Sequence, residues 1–296
     1  MCKKLSEMKK LLPFANPLLL ALTALSYLLG TSIARYLGRA DSPLNFWLGF
    51  VWITLLILAT NFLTVYFRPH NEPLIENETI KERNWLRAAL FQISLVLLGG
   101  VELITVVLFQ KGVSPIALIF AGIVFLITIA YALPPIRLVT NGFGEFALAT
   151  LLSFFIPAFS LTLQMGESHR LLETLAYPLL ALTLAFFLVL EFPTYKEDLK
   201  YERGTLLFRV GWERAILLHH ILVFSAYFFF SAMPLFNLPR ALFLPIFYTA
   251  PFALFQIFWM QKIAHGAPPN WKFLKILSHS VIGLTFYILI VTLWMR

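Results

Sequence analysis

Nine long apolar segments follow one another along the chain, and they constrain its fold more than any other feature. A helix needs about 20 mostly apolar residues to cross the hydrocarbon core of a bilayer, where irregular backbone is not tolerated. Of the residues, 59% are hydrophobic and only 13% are charged, whereas soluble domains average about 25% charged. The sequence therefore predicts an all-α membrane protein and excludes a soluble enzyme, a nucleic-acid-binding protein and a disordered chain. The predicted spans are 13–34, 44–67, 88–110, 113–133, 144–165, 174–192, 215–236, 240–261 and 274–295.

The Lys and Arg residues between these spans predict the orientation of the protein. Seventeen of the 23 lie before the first span or in the loops on the same side as the N-terminus, and six lie on the other side. Because Lys and Arg accumulate on the cytoplasmic side, we expect the N-terminus inside and the C-terminus outside, in the plasma membrane of a prokaryote. Residues 1–296 then form a single transmembrane domain with two long cytoplasmic loops, 68–87 and 193–214. The lone cysteine, Cys2, excludes a disulfide framework.

Three polar segments at the predicted cytoplasmic ends of the spans carry recognisable motifs. They are TNFLTVYFRPHNE over 60–72, YALPPIRLVTNGFGE over 131–145 and EFPTYKEDLKYERGTL over 191–206. In this order and spacing they resemble the UbiA superfamily of intramembrane prenyltransferases, especially its menaquinone-type branch. The resemblance extends over essentially the whole chain. It implies a bundle of nine transmembrane helices around a central cavity that opens to the cytoplasmic side.

The resemblance also implies an activity. Members of the family transfer an isoprenyl chain from an isoprenyl diphosphate to a lipid-soluble, commonly aromatic acceptor, as in quinone biosynthesis. Mg²⁺ held by aspartate-rich motifs binds the diphosphate, and basic residues assist its departure. This chemistry is physically sensible, since Mg²⁺ takes carboxylate and phosphate oxygens and a leaving diphosphate needs positive charge nearby. The expected partners are thus these two substrates and membrane lipid, and no nucleic acid; the oligomeric state stays open.

The positions that match the family motifs give the candidate site residues. Three are expected to be catalytic: Tyr131, Arg137 and Asp198. Those expected to bind substrate are Asn61, Arg68, Arg137, Lys200 and Arg203. Those expected to bind a metal ion are Glu72, Glu191, Asp198 and Glu202.

The chain departs from the family pattern where metal ligands are expected. In the first segment the aspartate positions fall on Val65, Arg68 and Glu72, and in the third Thr194 replaces an aspartate. These losses weaken the case for Mg²⁺ and leave an alternative function, a catalytically degenerate relative that binds an isoprenoid or lipid without turnover. An ordinary transporter is disfavoured, because the chain shows no repeat symmetry.

The third segment allows two interpretations. If the chain is helical beyond Pro193, Asp198 and Glu202 stand four residues apart and share one face, so that they and Glu191 could hold one Mg²⁺. The alternative is a solvated loop helix whose charges pair with one another.

Arg68 suggests a further hypothesis, since a basic residue stands there in place of an acid. Its guanidinium could replace the magnesium bridge by pairing with Asp198 or Glu191, or it could contact the diphosphate bidentately. The alternative is an arginine that extends from the second span to the interface. Glu102, inside the third span, is an ionisable group in apolar surroundings, but its distance from the acidic loops favours a structural role.

Overall fold

The computed structural model describes residues 11–39, 42–75 and 78–295. Within these ranges nine helices are long and apolar enough to cross a membrane, which confirms the predicted all-α integral membrane protein. The N-terminal lysines and Cys2 lie outside the described residues. The nine helices are α1 Pro17–Tyr36, α2 Pro43–Tyr66, α3 Ile80–Gln110, α4 Pro115–Ala132, α5 Gly144–Met165, α6 Arg170–Glu191, α7 Trp212–Ala232, α8 Arg240–Ala264 and α9 Trp271–Trp294.

Some helices begin earlier than the apolar segments alone predict. α3 begins at Ile80 rather than at residue 88, because Thr79 caps its first turn. The Thr79 hydroxyl accepts the N–H of Glu82, and the Glu82 carboxylate accepts the N–H of Thr79. Such a capping box satisfies two backbone donors at a helix start. The turn over 80–87 is therefore helical, although it is too polar to be counted as part of an apolar span.

The helices pack as a bundle in which α5 and α6 are the most buried and α3 and α4 the most exposed. α1 contacts both α5 and α9, α2 contacts α3, and α6 contacts α7. The exposed faces of α3 and α4 carry large apolar side chains such as Val96, Leu103 and Leu126. Such faces suit contact with lipid, since lipid chains are as apolar as these residues.

Small residues allow α1 and α5 to cross at close range. A Cβ atom at Gly30 would overlap the carbonyl oxygen of Pro157, so the two backbones touch at this point. One turn away, the Ser160 hydroxyl donates to the carbonyl of Tyr27 at 2.6 Å. Pro157 itself follows a π turn over Leu151–Phe155, a local widening common where a proline interrupts the helical hydrogen bonds. Close backbone approach and interhelical hydrogen bonds are the main source of association in lipid.

Gly30→Ala should therefore destabilise the bundle. The added methyl group meets backbone atoms that cannot rotate away, and we expect a loss of about 3 kcal/mol in the free energy of unfolding, measured by SDS titration in mixed micelles. Gly99→Ala on α3 is the matched control, because nothing lies within 4 Å of a Cβ at Gly99; it should be neutral or stabilise by up to about 1 kcal/mol. Equal effects of the two substitutions would contradict the close crossing.

Candidate active site

The connecting segments that follow α2, α4 and α6 meet at one end of the bundle. They enclose a cavity of about 430 Å³, which we call the charged cavity. These are the same three segments that carry the sequence motifs. Seven of the ten predicted site residues line the cavity: Arg68, Glu72, Arg137, Glu191, Asp198, Glu202 and Arg203.

The first segment turns back into the cavity directly after α2. Glu72 is only 3% exposed, and the Nη1 atom of Arg68 lies 3.4 Å from its Oε1 atom. Arg87, on α3, holds the turn in place by donating to the carbonyl of Arg68 at 2.7 Å and to that of Pro69 at 3.2 Å. Burial lowers the pKa of Arg68 below its ordinary value, and the charge of Glu72 opposes that change. The Arg68 guanidinium has thus lost much of its hydration.

The second segment presents Arg137 to the cavity from a strained backbone position. Arg137 has a φ of +39°, in the left-handed region that costs a non-glycine residue energy. Further along, Asn141 forms a parallel β-bridge with Gly204 of the third segment. The two chains run so close there that a Cβ at Gly204 would overlap the carbonyl oxygen of Thr140. A glycine at 204 therefore lets the second and third segments join.

The third segment differs from the helix that the sequence spacing predicts. A short helix, Tyr195–Lys200, ends before Glu202, and Glu202 has a left-handed φ of +50°. The expectation that Asp198 and Glu202 share a helical face is therefore wrong. Asp198 is 2% exposed and faces the cavity, where Thr194 Oγ1 lies 3.4 Å from its Oδ2 atom, whereas Glu202 is exposed at the rim.

One guanidinium joins the two acidic segments across the cavity. Arg203 donates through Nη1 to Asp198 Oδ1 at 3.0 Å and through Nη2 to Glu72 Oε1. Burial lowers the pKa of Arg203, but Glu72 and Asp198 together outweigh burial and raise that pKa above its ordinary value. A basic bridge of the kind hypothesised for Arg68 thus exists, but Arg203 provides it. Arg68 pairs with Glu72 of its own segment instead.

Arg137 is the cavity arginine without an ion pair. No carboxylate of the described residues lies within ion-pair distance of it, and its Nε atom is buried without a hydrogen-bond partner. Burial lowers the pKa of Arg137, and the more distant charge of Glu72 opposes this. A partly buried guanidinium with unused donors is a strong site for an anion, because it can form two parallel charge-assisted hydrogen bonds.

Glu145 is a cavity residue that sequence reasoning did not select. It lies in the first turn of α5, and its side chain lines the cavity together with that of Glu191. Among the described residues, neither Glu145 Oε2 nor Glu191 Oε1 has a donor partner, while Glu191 Oε2 accepts the N–H of Leu207 at 2.8 Å. Two neighbouring carboxyl groups can share a proton or a cation. An acid directly after the Gly142-Phe143-Gly144 turn was the available signal in the sequence.

The four predicted metal ligands do not come together. Glu72 and Asp198 are occupied by Arg203, Glu202 is exposed, and Glu191 faces Glu145. Over residues 11–39, 42–75 and 78–295, no group of three or more His, Cys, Asp or Glu side chains could hold a metal ion. The side chains present therefore do not fit the Mg²⁺ that the resemblance implies.

The remaining predicted residues lie outside the lining of the cavity. Asn61 donates to the carbonyl of Ala15 at 2.8 Å and so fixes the chain before α1. Lys200 is exposed, with its Nζ atom 5.0 Å from the ring centre of Tyr201. Tyr131 packs on the apolar core and is close enough to Glu145 and Glu191 to interact with their charges. Glu102 lies in a separate apolar groove beside Trp52 on the exposed side of α3.

Comparison with solved structures shows which fold this is. No protein-family model and no curated protein matches the sequence. The chain superposes on a digeranylgeranylglyceryl phosphate synthase with a TM-score of 0.58 at 17% identity, covering 98% of this chain and 97% of that one. It has the UbiA fold. A UbiA homologue from Archaeoglobus fulgidus bound to Cd²⁺ gives 0.58 at 16% identity, and its complex with GPP and Mg²⁺ gives 0.54 at 14%; each covers 95% of this chain and 99% of the homologue. At such identities the likeness to UbiA structures establishes the fold alone.

The Glu191 carboxylate should be structurally important to this UbiA-fold bundle. Glu191→Ala leaves the buried N–H of Leu207 without an acceptor and should cost about 1–3 kcal/mol of unfolding free energy. Glu191→Gln keeps the acceptor oxygen, and its amide donates to Glu145, so its loss should be much smaller. SDS titration measures both. Equal losses for the two variants would contradict the roles given to the two oxygens.

Arg203→Ala should also destabilise the protein, because it leaves the buried Asp198 without a counter-charge and Glu72 with only the longer contact to Arg68. Since the Arg203 side chain is 25% exposed, we expect about 2–3 kcal/mol, less than for a fully buried pair. Adding Glu72→Gln and Asp198→Asn to Arg203→Ala should restore most of the lost stability. If the triple variant is no more stable than Arg203→Ala, the ion pairs do not hold the two segments together.

Proposed function

We propose that the protein binds an isoprenyl diphosphate with its head group in the charged cavity, and transfers the isoprenyl chain to a lipid-soluble, aromatic acceptor. The observation that carries the proposal is the unpaired, partly buried guanidinium of Arg137 inside a cavity at the end of a membrane-spanning bundle. The homologue from Archaeoglobus fulgidus that shares this fold is bound to GPP and Mg²⁺. An amphiphile with an anionic head suits a cavity that is lined by arginines at the end of a membrane-spanning bundle.

The three guanidinium groups of the charged cavity have different roles in binding the head group. Arg137 has free donors, and Arg68 is held at 3.4 Å from Glu72, a loose contact that leaves donors for phosphate oxygens. Arg203 keeps the third segment against the first, so that the cavity has a fixed shape. Fixed positive charge around the diphosphate stabilises it most when it leaves, because negative charge then develops on it.

The transfer exchanges one bond for another. The bond between C1 of the isoprenyl chain and the diphosphate oxygen breaks, and both electrons leave with the diphosphate. The acceptor forms its new bond to C1 and gives up a proton, which the Glu145–Glu191 pair accepts when it is ionised or which passes to water at the rim. Tyr131, between this pair and the apolar core, would stand near the allylic carbon and stabilise its positive charge. The apolar interior keeps water away from that carbon.

The orientation predicted by the basic residues places the charged cavity on the cytoplasmic side, with the N-terminus inside and the C-terminus outside. A water-soluble diphosphate head would then enter from the cytoplasm while the chain and the acceptor stay in the bilayer. The resemblance of the motif segments to the menaquinone-type branch supports a role in quinone biosynthesis, in the plasma membrane of a prokaryote.

Release of diphosphate tests the proposal directly. Purified protein in lipid nanodiscs is incubated with radiolabelled geranylgeranyl diphosphate and an extract of quinone precursors, with and without Mg²⁺. We expect diphosphate release together with a labelled lipid product. Failure to bind any of dimethylallyl, geranyl and geranylgeranyl diphosphate would overturn the proposal.

The alternative is a degenerate relative that binds an isoprenoid without turnover. The ion pairs that occupy Glu72 and Asp198 favour it, because these acids cannot hold a metal ion while Arg203 remains bound to them. In the same assay, binding of geranylgeranyl diphosphate with no release of diphosphate would identify this function.

Arg137→Ala should weaken binding of geranylgeranyl diphosphate roughly 10- to 100-fold, the usual range for losing hydrogen bonds to a charged group. Arg137→Lys should lose less, since it keeps the charge but not the bidentate geometry. Arg214→Ala is the matched control, an exposed arginine at the start of α7 outside the charged cavity. Isothermal titration calorimetry measures all three, and an equal effect at 137 and 214 would count against a specific site.

A further inference from the structure

We infer that Arg203 occupies the place of a divalent cation in this cavity, so that the protein binds the diphosphate through guanidinium groups alone and needs no Mg²⁺ to do so. This inference rests on the proposed function and concerns the same site. It follows from the contacts of Glu72 and Asp198 with Arg203 and from the unpaired Arg137.

Glu72 and Asp198 are the two acids best placed to bind one cation together, and they already bind the Arg203 guanidinium. Glu72 and Asp198 come from different segments, and both are almost completely buried. Arg203 contacts both carboxylates, and Glu72 Oε1 also lies 3.4 Å from Arg68 Nη1. A Mg²⁺ ion between them would have to displace Arg203 and leave its guanidinium partly buried without a partner, which is costly. It would also stand beside the positive charge of Arg68.

The cavity also supplies the positive charge that a metal would otherwise bring. A divalent cation neutralises the diphosphate and orients it, and a guanidinium fork can do both by bidentate contact with phosphate oxygens. Arg137 is free of ion pairs among the described residues, and its buried Nε atom is an unused donor. Arg68 lines the same cavity, so a second guanidinium lies beside Arg137 where the head group would bind.

Binding without metal is the first test. Isothermal titration calorimetry follows geranylgeranyl diphosphate binding to the full-length protein in nanodiscs, once with excess EDTA and once with excess Mg²⁺. We expect the two dissociation constants to agree within about threefold, because the arginines already provide the counter-charge. Binding that needs Mg²⁺, weakened about tenfold or more by EDTA, would overturn this inference and leave the proposed function standing. Absence of binding in both buffers would overturn the proposed function and this inference with it.

Removing the guanidinium is the second test. In Arg203→Gln the carboxylates of Glu72 and Asp198 lose their shared cation, so Mg²⁺ or Mn²⁺ alone should raise the thermal unfolding temperature of this variant. The same ions should leave the unfolding temperatures of the wild-type protein and of Arg214→Gln unchanged. Arg214→Gln is the matched control, since it removes an exposed arginine at the same end of the bundle. Equal stabilisation of the wild-type protein by the ions would overturn the inference. If Arg203→Gln does not fold, the EDTA comparison on the wild-type protein decides.

Discussion

Two carboxylates buried at the end of a membrane bundle have to be neutralised, and the arrangement of the whole site depends on how this is done. Glu72 and Asp198 are separated by four membrane-spanning helices in the chain; Glu72 lies in a loop after α2 and Asp198 in the short helix Tyr195–Lys200 after α6. Both bind Arg203. In a poorly hydrated cavity an uncompensated charge costs several kcal/mol, so the loop after α2 and the turn after α6 have to close on the same guanidinium. The β-bridge between Asn141 and Gly204 then joins the second segment to the third.

The fold of the bundle and the source of the counter-charge in its cavity are separate properties. The bundle superposes on UbiA-type structures over nearly its full length, and its cavity stands at the end where the motif segments meet. Within that cavity the counter-charge comes from side chains of the protein itself. A side-chain cation differs physically from a bound metal ion: it cannot be removed by a chelator, it carries one charge rather than two, and its hydrogen bonds have a fixed direction. Under the proposed function, this fold would bind a diphosphate through side-chain cations.

The sequence predicted the nine spans well, because each is a long apolar run that leaves no alternative in a bilayer. It predicted the start of α3 eight residues too late, because the charged turn over 80–87 is helical through a cap. Among the site residues, Arg137 and Asp198 could be placed from the motif pattern. Glu145 was missed, because a single acid at a helix start has many explanations until Glu191 is found opposite to it. The choice of Arg203 over Arg68 as the bridging residue was also beyond the sequence, since it depends on the helix ending at Lys200.

By itself, then, the amino-acid sequence determined that the chain crosses a membrane repeatedly and which of its loops are charged. It also showed that these loops carry motifs that resemble those of the UbiA superfamily. The length of an apolar segment and the positions of the charged residues beside it are local properties. They determine membrane insertion and orientation almost independently of the rest of the chain. Which carboxylate meets which guanidinium was decided only by the tertiary structure. Such pairings depend on loop backbones, including the left-handed positions of Arg137 and Glu202, and on distances of a few ångströms between segments that lie far apart in the chain.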